Sequence, residues 1–413
     1  MKRRVVITGL GAVTPVGLNV ASLWENLLAG KSGISLIEKF DTTDFTSKIA
    51  GEIKNFDPVD YFEKKEIKKL DLYTQFALVA AREAMKDAGL TPGSFDPERA
   101  GCIMGAGIGG IWTFQEETEK YFNKGPRRVG PFFIPKMISN IAAGHIAIEN
   151  NLKAINFNVV SACASANHAI GTSFRSIQYG DADIIISGGA EGAVNPMAMA
   201  GFCAMKALST RNDEPTKASR PFDKERDGFV MSEGSGMIVL EELEHALARG
   251  ANIYGELVGY GASCDAFHVT APAEGGEGSA RAIDFAIKDG GLTPQDIDYI
   301  NAHGTSTPLN DKNETSAIKT VFGAHTANLA INSTKSMVGH MLGAAAGIEA
   351  IVCCLSIRDS KIHGTMNYEN QDPDCDLNYT PNSFIEREVK GAVSNSLGFG
   401  GHNSAIVIKK FVK

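Results

Sequence analysis

Apolar residues recur along this sequence in two rhythms. Short apolar runs bounded by Gly, Pro or charged residues, at 3–10, 100–104, 154–160, 182–189, 298–302 and 329–332, predict buried strands. Apolar positions three and four apart predict helices at 23–28, 74–88, 137–148, 279–289 and 339–357, the second of them stopped by Gly89. Two further segments, 226–241 and 391–408, read as strand pairs, folded about Ser232-Glu-Gly-Ser-Gly236 and Gly398-Phe-Gly-Gly401. Strands alternating with helices and closing twice in a glycine hairpin predict an α/β chain of two similar units. The 413 residues exceed the roughly 250–300 that one core serves, which suits units at 1–251 and 252–413.

The centre of this pattern is Asn158-Val-Val-Ser-Ala-Cys163-Ala-Ser-Ala-Asn167, where the 154–160 run breaks at small residues and a helical pattern restarts. Cys163 is thereby expected at a helix start, where unpaired N–H groups and the helix dipole favour the thiolate. A small core cysteine would fit the same stretch. Two histidines at predicted strand-to-turn junctions tip the balance: His303 in Asn301-Ala-His-Gly-Thr305-Ser-Thr307-Pro, and His340 in Asn332-Ser-Thr-Lys335-Ser-Met-Val-Gly339-His340. A cysteine with distant histidines is the trace of thiol catalysis in many families.

Gly105-Ala-Gly107-Ile-Gly-Gly110 follows a predicted strand and matches G-x-G-x-x-G in form. The first strand of a dinucleotide unit normally lies near the start of its domain, and no acidic residue ends a following strand at the usual distance. The glycines are instead expected to let this loop pack beside Cys163, so an NAD-linked oxidoreductase is disfavoured.

Charge and cysteine usage narrow the class. A net charge of −8 argues against a general nucleic-acid binder. The seven cysteines are scattered without a C-x-x-C pair, so free thiols in a reducing compartment are expected and a zinc site is not. No apolar run approaches the roughly 20 residues of a membrane span, and glycines and Pro15 cut short the first apolar stretch as no signal peptide would. A soluble cytoplasmic protein is expected. Basic residues cluster at Lys64, Lys65, Lys68 and Lys69, interleaved with Glu63 and Glu66, and recur at Lys124, Arg127, Arg128 and Lys206. A solvated helix face accounts for the first cluster as readily as a docking patch does.

The three motifs together resemble the β-ketoacyl-[acyl-carrier-protein] synthases, the condensing enzymes of fatty acid synthesis, and most closely their elongating type. Agreement extends to Ala218-Ser-Arg-Pro-Phe-Asp223, Arg226-Asp-Gly-Phe-Val230, Ala271-Pro272 and Gly398-Phe399-Gly-Gly401, in order along essentially the whole chain. The resemblance implies a thiolase-like fold, duplicated and five-layered as α-β-α-β-α. It implies an acyltransferase that is acylated at Cys163 and then joins the acyl group to malonyl-acyl carrier protein with loss of carbon dioxide. His303 and His340 would act as neutral donors, and the N–H groups of Cys163 and Phe399 would form the oxyanion hole, with the Phe399 ring as a gate. Lys335 and Glu314 would be a charged pair beside the site. Thr305 and Thr307 would hold the pantetheine arm, although satisfying their own turn is a competing role. His268 and Thr270, with Asp265, match a motif near the entrance, and Ile108 and Phe202, with Phe133 of a second copy, would border the acyl pocket.

The same resemblance assigns carrier-protein docking to Lys65, Lys68, Lys69, Arg127, Arg128 and Lys206. It also implies a homodimer, to which the apolar content of 182–205 adds weight. By the same resemblance no cofactor is required, and a structural monovalent cation near Asn301, Glu349 and Asn395 is allowed. Asn310 stands where many relatives carry glycine. A thiolase would need a second reactive cysteine near Gly398–Gly401, an initiating synthase would carry Asn in place of His340, and a chain-length-factor subunit would lack Cys163. A polyketide synthase module would bring flanking domains in the same chain, which are not expected here.

Overall fold

Ten strands carry the frame of the computed structural model, which describes residues 2–412. In chain order they are β1 (Val5–Val13), β2 (Ala100–Gly105), β3 (Asn156–Val159), β4 (Ile184–Glu191), β5 (Gly234–Glu242), β6 (Gly255–Cys264), β7 (Tyr299–Asn301), β8 (Ala330–Asn332), β9 (Gly391–Gly398) and β10 (His402–Lys409). They lie side by side in the order β8-β7-β9-β10-β6-β1-β5-β4-β2-β3. Divided between β6 and β1, this order contains one plan twice. Within each set the first strand pairs antiparallel with the fifth and the fifth antiparallel with the fourth, while the second lies parallel to both the third and the fourth. The two sets join where Val5, Val6 and Ile7 meet Leu257, Glu256 and Gly255.

Six helices complete the layers: α1 (Leu72–Asp87), α2 (Ile111–Lys124), α3 (Ser165–Tyr179), α4 (Glu277–Asp289), α5 (Pro308–Phe322) and α6 (Ala345–Asp359). Helices α3 and α6 lie between the two strand sets. The first touches β2 and β4 on one side and β6 and β10 on the other; the second touches β4, β5 and β9. Outside the first set lies α1, and outside the second lies α4 with α5 beside it. The result is the layering α-β-α-β-α. Apart from Glu349, helix α6 is apolar or small on every face because every face is covered: residues 345–357 are all buried. The outer helices press equally closely, since a Cβ at Gly11 of β1 would collide with the Ala80 carbonyl of α1, and one at Gly261 of β6 with the Ala282 carbonyl of α4.

The repeat extends to the turns that enter the central helices. Single 3-10 turns, Ala162–Ala164 and Leu342–Ala344, lead directly into α3 and α6, and each begins on a non-glycine residue of positive φ, Ala162 at 51° and Leu342 at 46°. Such a conformation costs an L-residue energy and persists where packing over-determines it. In this correspondence Cys163 of one half matches Gly343 of the other.

Four sequence expectations need correction. The segment 226–241 is not a strand pair: only β5 forms, and it pairs with β4, while Phe229, Met231 and Ser232 bridge singly to Leu208, His340 and Gly51. Gly234 is required for close packing, because a Cβ there would meet the Val13 carbonyl oxygen. The 154–160 run yields only β3, an edge strand whose residues are exposed or half-buried. The helix expected at 137–148 is displaced to Ile141–Asn150, after a short turn of helix at Phe133–Met137. The helix expected from 339 begins only at Ala345, so His340 lies ahead of it on a loop.

Candidate active site

The seam between the halves brings three reactive groups to one wall. Cys163 Sγ lies 3.1 Å from Nε2 of His340, 177 residues away, and the His303 ring is centred 5.4 Å from the His340 ring at 87°. All three side chains are buried. They line a cavity of about 490 Å³ that is also bordered by Ile108, Phe202, Thr270, Thr305, Thr307 and Phe399.

Local structure explains each placement. The 3-10 turn turns the Cys163 side chain out of the β3–α3 connection. Gly398 at the end of β9 packs on this turn, where a Cβ would come 2.6 Å from the Ser161 carbonyl oxygen and 3.3 Å from the Cys163 nitrogen. That contact lets the N–H groups of Cys163 and Phe399 both reach the sulfur. His340 follows the left-handed Gly339, and its backbone is held on both sides, donating to Val230 O at 2.7 Å and accepting from Ser232 N at 3.0 Å. The Phe229 ring stands edge-on to it at 5.2 Å. His303 leaves the end of β7, where the Glu314 carboxylate accepts from His303 N at 2.7 Å, Gly304 N at 2.8 Å and the Asn395 amide at 2.7 Å.

Burial, then the positive charge of Lys335, holds the His340 imidazole well below its usual pKa. His303 is lowered for the same two reasons and by the neighbouring His340. Both rings are therefore neutral near pH 7 and can donate through one nitrogen each. The expectation of a thiolate at a helix start is corrected, however. Burial pushes the Cys163 thiol up to about 12, outweighing the Lys335 charge and the two N–H groups that favour the anion. The thiol consequently has to lose its proton as it reacts, and His340 Nε2 is in place to receive it.

The expected pairing of Lys335 with Glu314 is also corrected. Lys335 is ion-paired with Glu349 of α6, with both side chains buried, while Glu314 serves as the clamp on the His303 loop. The acidic interruption in the otherwise apolar α6 pattern is thus the partner of a buried lysine. Asn310 joins the same clamp, its amide 3.3 Å from Glu314 Oε2. His268 does not border the cavity; it is exposed, and its ring accepts from the N–H groups of Thr270 and Ala271. Thr305 and Thr307 share a hydroxyl contact of 2.9 Å, and Thr307 caps no N–H of α5 although it stands at the N-cap.

Lys65, Lys68, Lys69, Arg127, Arg128 and Lys206 are all exposed. Lys69 Nζ lies 5.6 Å from the centre of the Phe132 ring, which brings the 64–69 and 126–132 segments together, and Lys206 stands on the cavity wall.

Sequence reasoning overlooked Glu191, the last residue of β4. Its buried carboxylate accepts from the N–H groups of Gly107, Ile108, Gly109 and Gly343, yet burial still raises it to about 7. The one available signal was an acid ending an apolar strand. Its contacts also dispose of the dinucleotide reading, since the N–H groups of Gly107–Gly109 that would cradle a phosphate already serve Glu191.

Among the described residues no three His, Cys, Asp or Glu side chains gather as a metal site. The positions implied for a monovalent cation nonetheless fit one. Asn301 Oδ1, Asn395 Oδ1, Glu349 Oε2 and Ser394 Oγ are buried without hydrogen-bond partners, and Asn301 and Ser394 are in register on neighbouring strands. Neutral and anionic oxygens of this kind suit a hard cation.

The family described as "Beta-ketoacyl synthase, N-terminal domain" matches residues 2–246, and "Beta-ketoacyl synthase, C-terminal domain" matches residues 254–369. The chain is 51% identical over 409 residues to 3-oxoacyl-[acyl-carrier-protein] synthase 2 of Staphylococcus aureus (strain COL), and 49% identical over 410 residues to the protein of the same name from Synechocystis, covering 99% of each chain in both cases. Among solved structures it is similar to that of a type II polyketide acyl-carrier protein in complex with its ketosynthase, with 39% identity, full coverage of both chains and a TM-score of 0.91.

Proposed function

This chain belongs to the β-ketoacyl synthase family, and from that premise we propose that it is an elongating 3-oxoacyl-[acyl-carrier-protein] synthase whose nucleophile is Cys163. The observation that carries the assignment of residues is the 3.1 Å approach of Cys163 Sγ to an uncharged imidazole on the wall of a cavity, with a second neutral imidazole beside it.

In the first half-reaction the Cys163 sulfur attacks the acyl thioester carbonyl, and its proton passes through His340 Nε2 to the departing pantetheine sulfur. A new thioester joins the acyl group to Cys163, and the carrier leaves as its thiol. In the second, malonyl thioester binds with its carbonyl oxygen between His303 and His340. Loss of carbon dioxide leaves its electron pair on the enolate, which hydrogen bonds from His303 and from the Nε2–H tautomer of His340 stabilise. The enolate carbon then attacks the acyl carbonyl on Cys163, and the resulting oxyanion is held by the N–H groups of Cys163 and Phe399. That attack forms the carbon–carbon bond; collapse of the oxyanion then breaks the carbon–sulfur bond to Cys163 and releases its thiolate, which takes up a proton. Every electron pair comes from the substrates or the cysteine, so the cycle needs no redox cofactor. Lys335, paired with Glu349, keeps the imidazoles neutral, and Glu314 fixes the His303 loop.

Asn301, Asn395 and Glu349 are the residues that would hold a monovalent cation, which would supply charge balance for the buried carboxylate behind the site. The partner is acyl carrier protein, acyl- or malonyl-loaded, guided by the exposed basic residues towards the Thr305 and Thr307 hydroxyls, which would take the pantetheine arm. A homodimer is supported by the open edge of β3, where Phe157 of the strand and Val160 just beyond it are 37% and 58% exposed. A cytoplasmic location is supported by seven free thiols and, among the described residues, by the absence of any helix long and apolar enough to cross a membrane.

The direct test is incubation with acyl- and malonyl-carrier protein followed by mass spectrometry of the protein and its products. The wild-type chain should carry the acyl group on Cys163 and yield the extended 3-oxoacyl product. Cys163→Ala should abolish extension while retaining malonyl decarboxylation; extension by that variant would remove the assigned nucleophile.

A further inference from the structure

Glu191 spans two segments that form working walls of the site. Its Oε2 accepts from Gly107 N at 2.8 Å and Gly343 N at 3.2 Å, and its Oε1 accepts from Ile108 N and Gly109 N, both at 3.2 Å. Ile108 borders the Cys163 cavity and also a second cavity of about 550 Å³, lined by Ile111, Phe114, Met137 and Ile138 among others. It is the one residue common to both linings. On the other side of the carboxylate, Gly343 follows Leu342, which lines the first cavity.

The arrangement is built around the carboxylate. A Cβ on Gly107 would stand 2.9 Å from Glu191 Oε2, and Gly109 takes a φ of 80° that directs its N–H to the same group. Gly343 is the counterpart of Cys163 in the repeat. Its N–H, equivalent to one that reaches the nucleophile's sulfur in the other half, is engaged by Glu191 instead. A buried carboxylate is costly unless its hydrogen bonds hold, so the path of 107–109 depends on this one side chain.

We propose that Glu191 is a positioning residue for acyl-chain selectivity: by pinning the backbone of 107–109 it fixes Ile108 as the partition between the catalytic cavity and the more open second cavity that it also borders. This rests on the condensing-enzyme reading above. A short acyl group packs against the partition, whereas a long one has to pass it.

The test is Glu191→Gln, which keeps the shape but turns an amide against two N–H donors and so frees the loop. Single-turnover transfer to Cys163 is measured with hexanoyl- and palmitoyl-carrier protein at equal concentrations. The ratio of palmitoyl to hexanoyl kcat/KM is expected to rise about tenfold over wild type. Glu191→Asp, which keeps the charge but draws the oxygens back, should move the ratio the same way by less, and it decides the matter if the Gln variant does not fold. An unchanged or lowered ratio overturns the assignment, including a parallel fall of both rates, which would mark Glu191 as merely structural. Failure of the wild-type chain to accept either acyl group on Cys163 would instead overturn the condensing-enzyme reading.

Discussion

Nζ of Lys335 is ion-paired with Oε1 of Glu349, and neither side chain is more than 2% exposed. Lys335 opens a short helix ahead of His340, and Glu349 lies inside α6, so the pair locks the loop carrying His340 to the central layer. Its charge also lowers the pKa values of both imidazoles and of Cys163. One lysine therefore links the packing of the core to the protonation state of the site.

Lys335→Met should move the acid limb of the decarboxylation profile to higher pH, because imidazoles relieved of a neighbouring cation protonate more readily. It should also cost about 3–5 kcal/mol of stability by leaving Glu349 buried and unpaired, and adding Glu349→Gln should recover part of that loss. Rate–pH profiles and urea denaturation measure the two effects. An unmoved acid limb would show that the Lys335 charge does not reach the rings.

Glu314→Gln sets an amide against the N–H groups of His303 and Gly304. Loss of one charge-assisted hydrogen bond, about 1.5–3 kcal/mol, predicts a fall in decarboxylation kcat of roughly ten- to a hundredfold. Burial raises Glu314 from the ordinary carboxylate value to about 7. A raised carboxyl contributes stability that is complete below its unfolded pKa and is lost as pH rises through the folded one. Wild type should accordingly lose about 3 kcal/mol between pH 4.5 and 7 that the Gln variant does not lose, as read by denaturation across that range. Identical pH slopes would contradict the buried, raised carboxyl.

Thr307→Val removes a hydroxyl that caps no helix N–H, so the fold should be little affected. The expected outcome is a rise of about three- to tenfold in KM for malonyl-carrier protein with kcat within about twofold. A fall in kcat at unchanged KM would point to the geometry of the 303–307 loop instead of substrate binding.

Charge reversal at Arg127, Arg128 and Lys206 should raise KM for carrier-bound substrate by about tenfold and weaken its dependence on ionic strength. Turnover of malonyl-pantetheine free of any carrier should be unaffected. Equal losses with both substrates would remove these residues from the docking surface.

The site was legible where its chemistry requires particular residue types beside particular backbone shapes. Cys163 among small residues, His303 just past the end of β7 and His340 after the left-handed Gly339 could be located because tight turns need Gly, Ala and Ser around them; only the strand expected to lead directly into His340 is replaced, by the short helix Lys335–Val338. The partners of charged residues were not legible. Lys335 was assigned to Glu314, and Glu191 was overlooked, because hydrogen bonds formed across 14 and 84 residues of sequence leave no periodic trace. The strand pair expected at 226–241 failed for a related reason: Gly234 marks a contact with Val13, and sequence alone cannot distinguish a close contact from a turn.

The order of apolar and small residues by itself determined most of the alternation of strands and helices and the places where the chain must turn, and the motifs around Cys163, His303 and His340 marked them as candidates. The seam where the two halves meet was decided only by tertiary structure. Packing α3 and α6 together between the two five-strand halves of the sheet brought Cys163 and His340 to 3.1 Å, shielded them from water and raised the thiol where a helix start alone would have lowered it. Local pattern fixes conformation, but dielectric environment and long-range pairing depend on which surfaces are covered, and that is a property of the assembled layers.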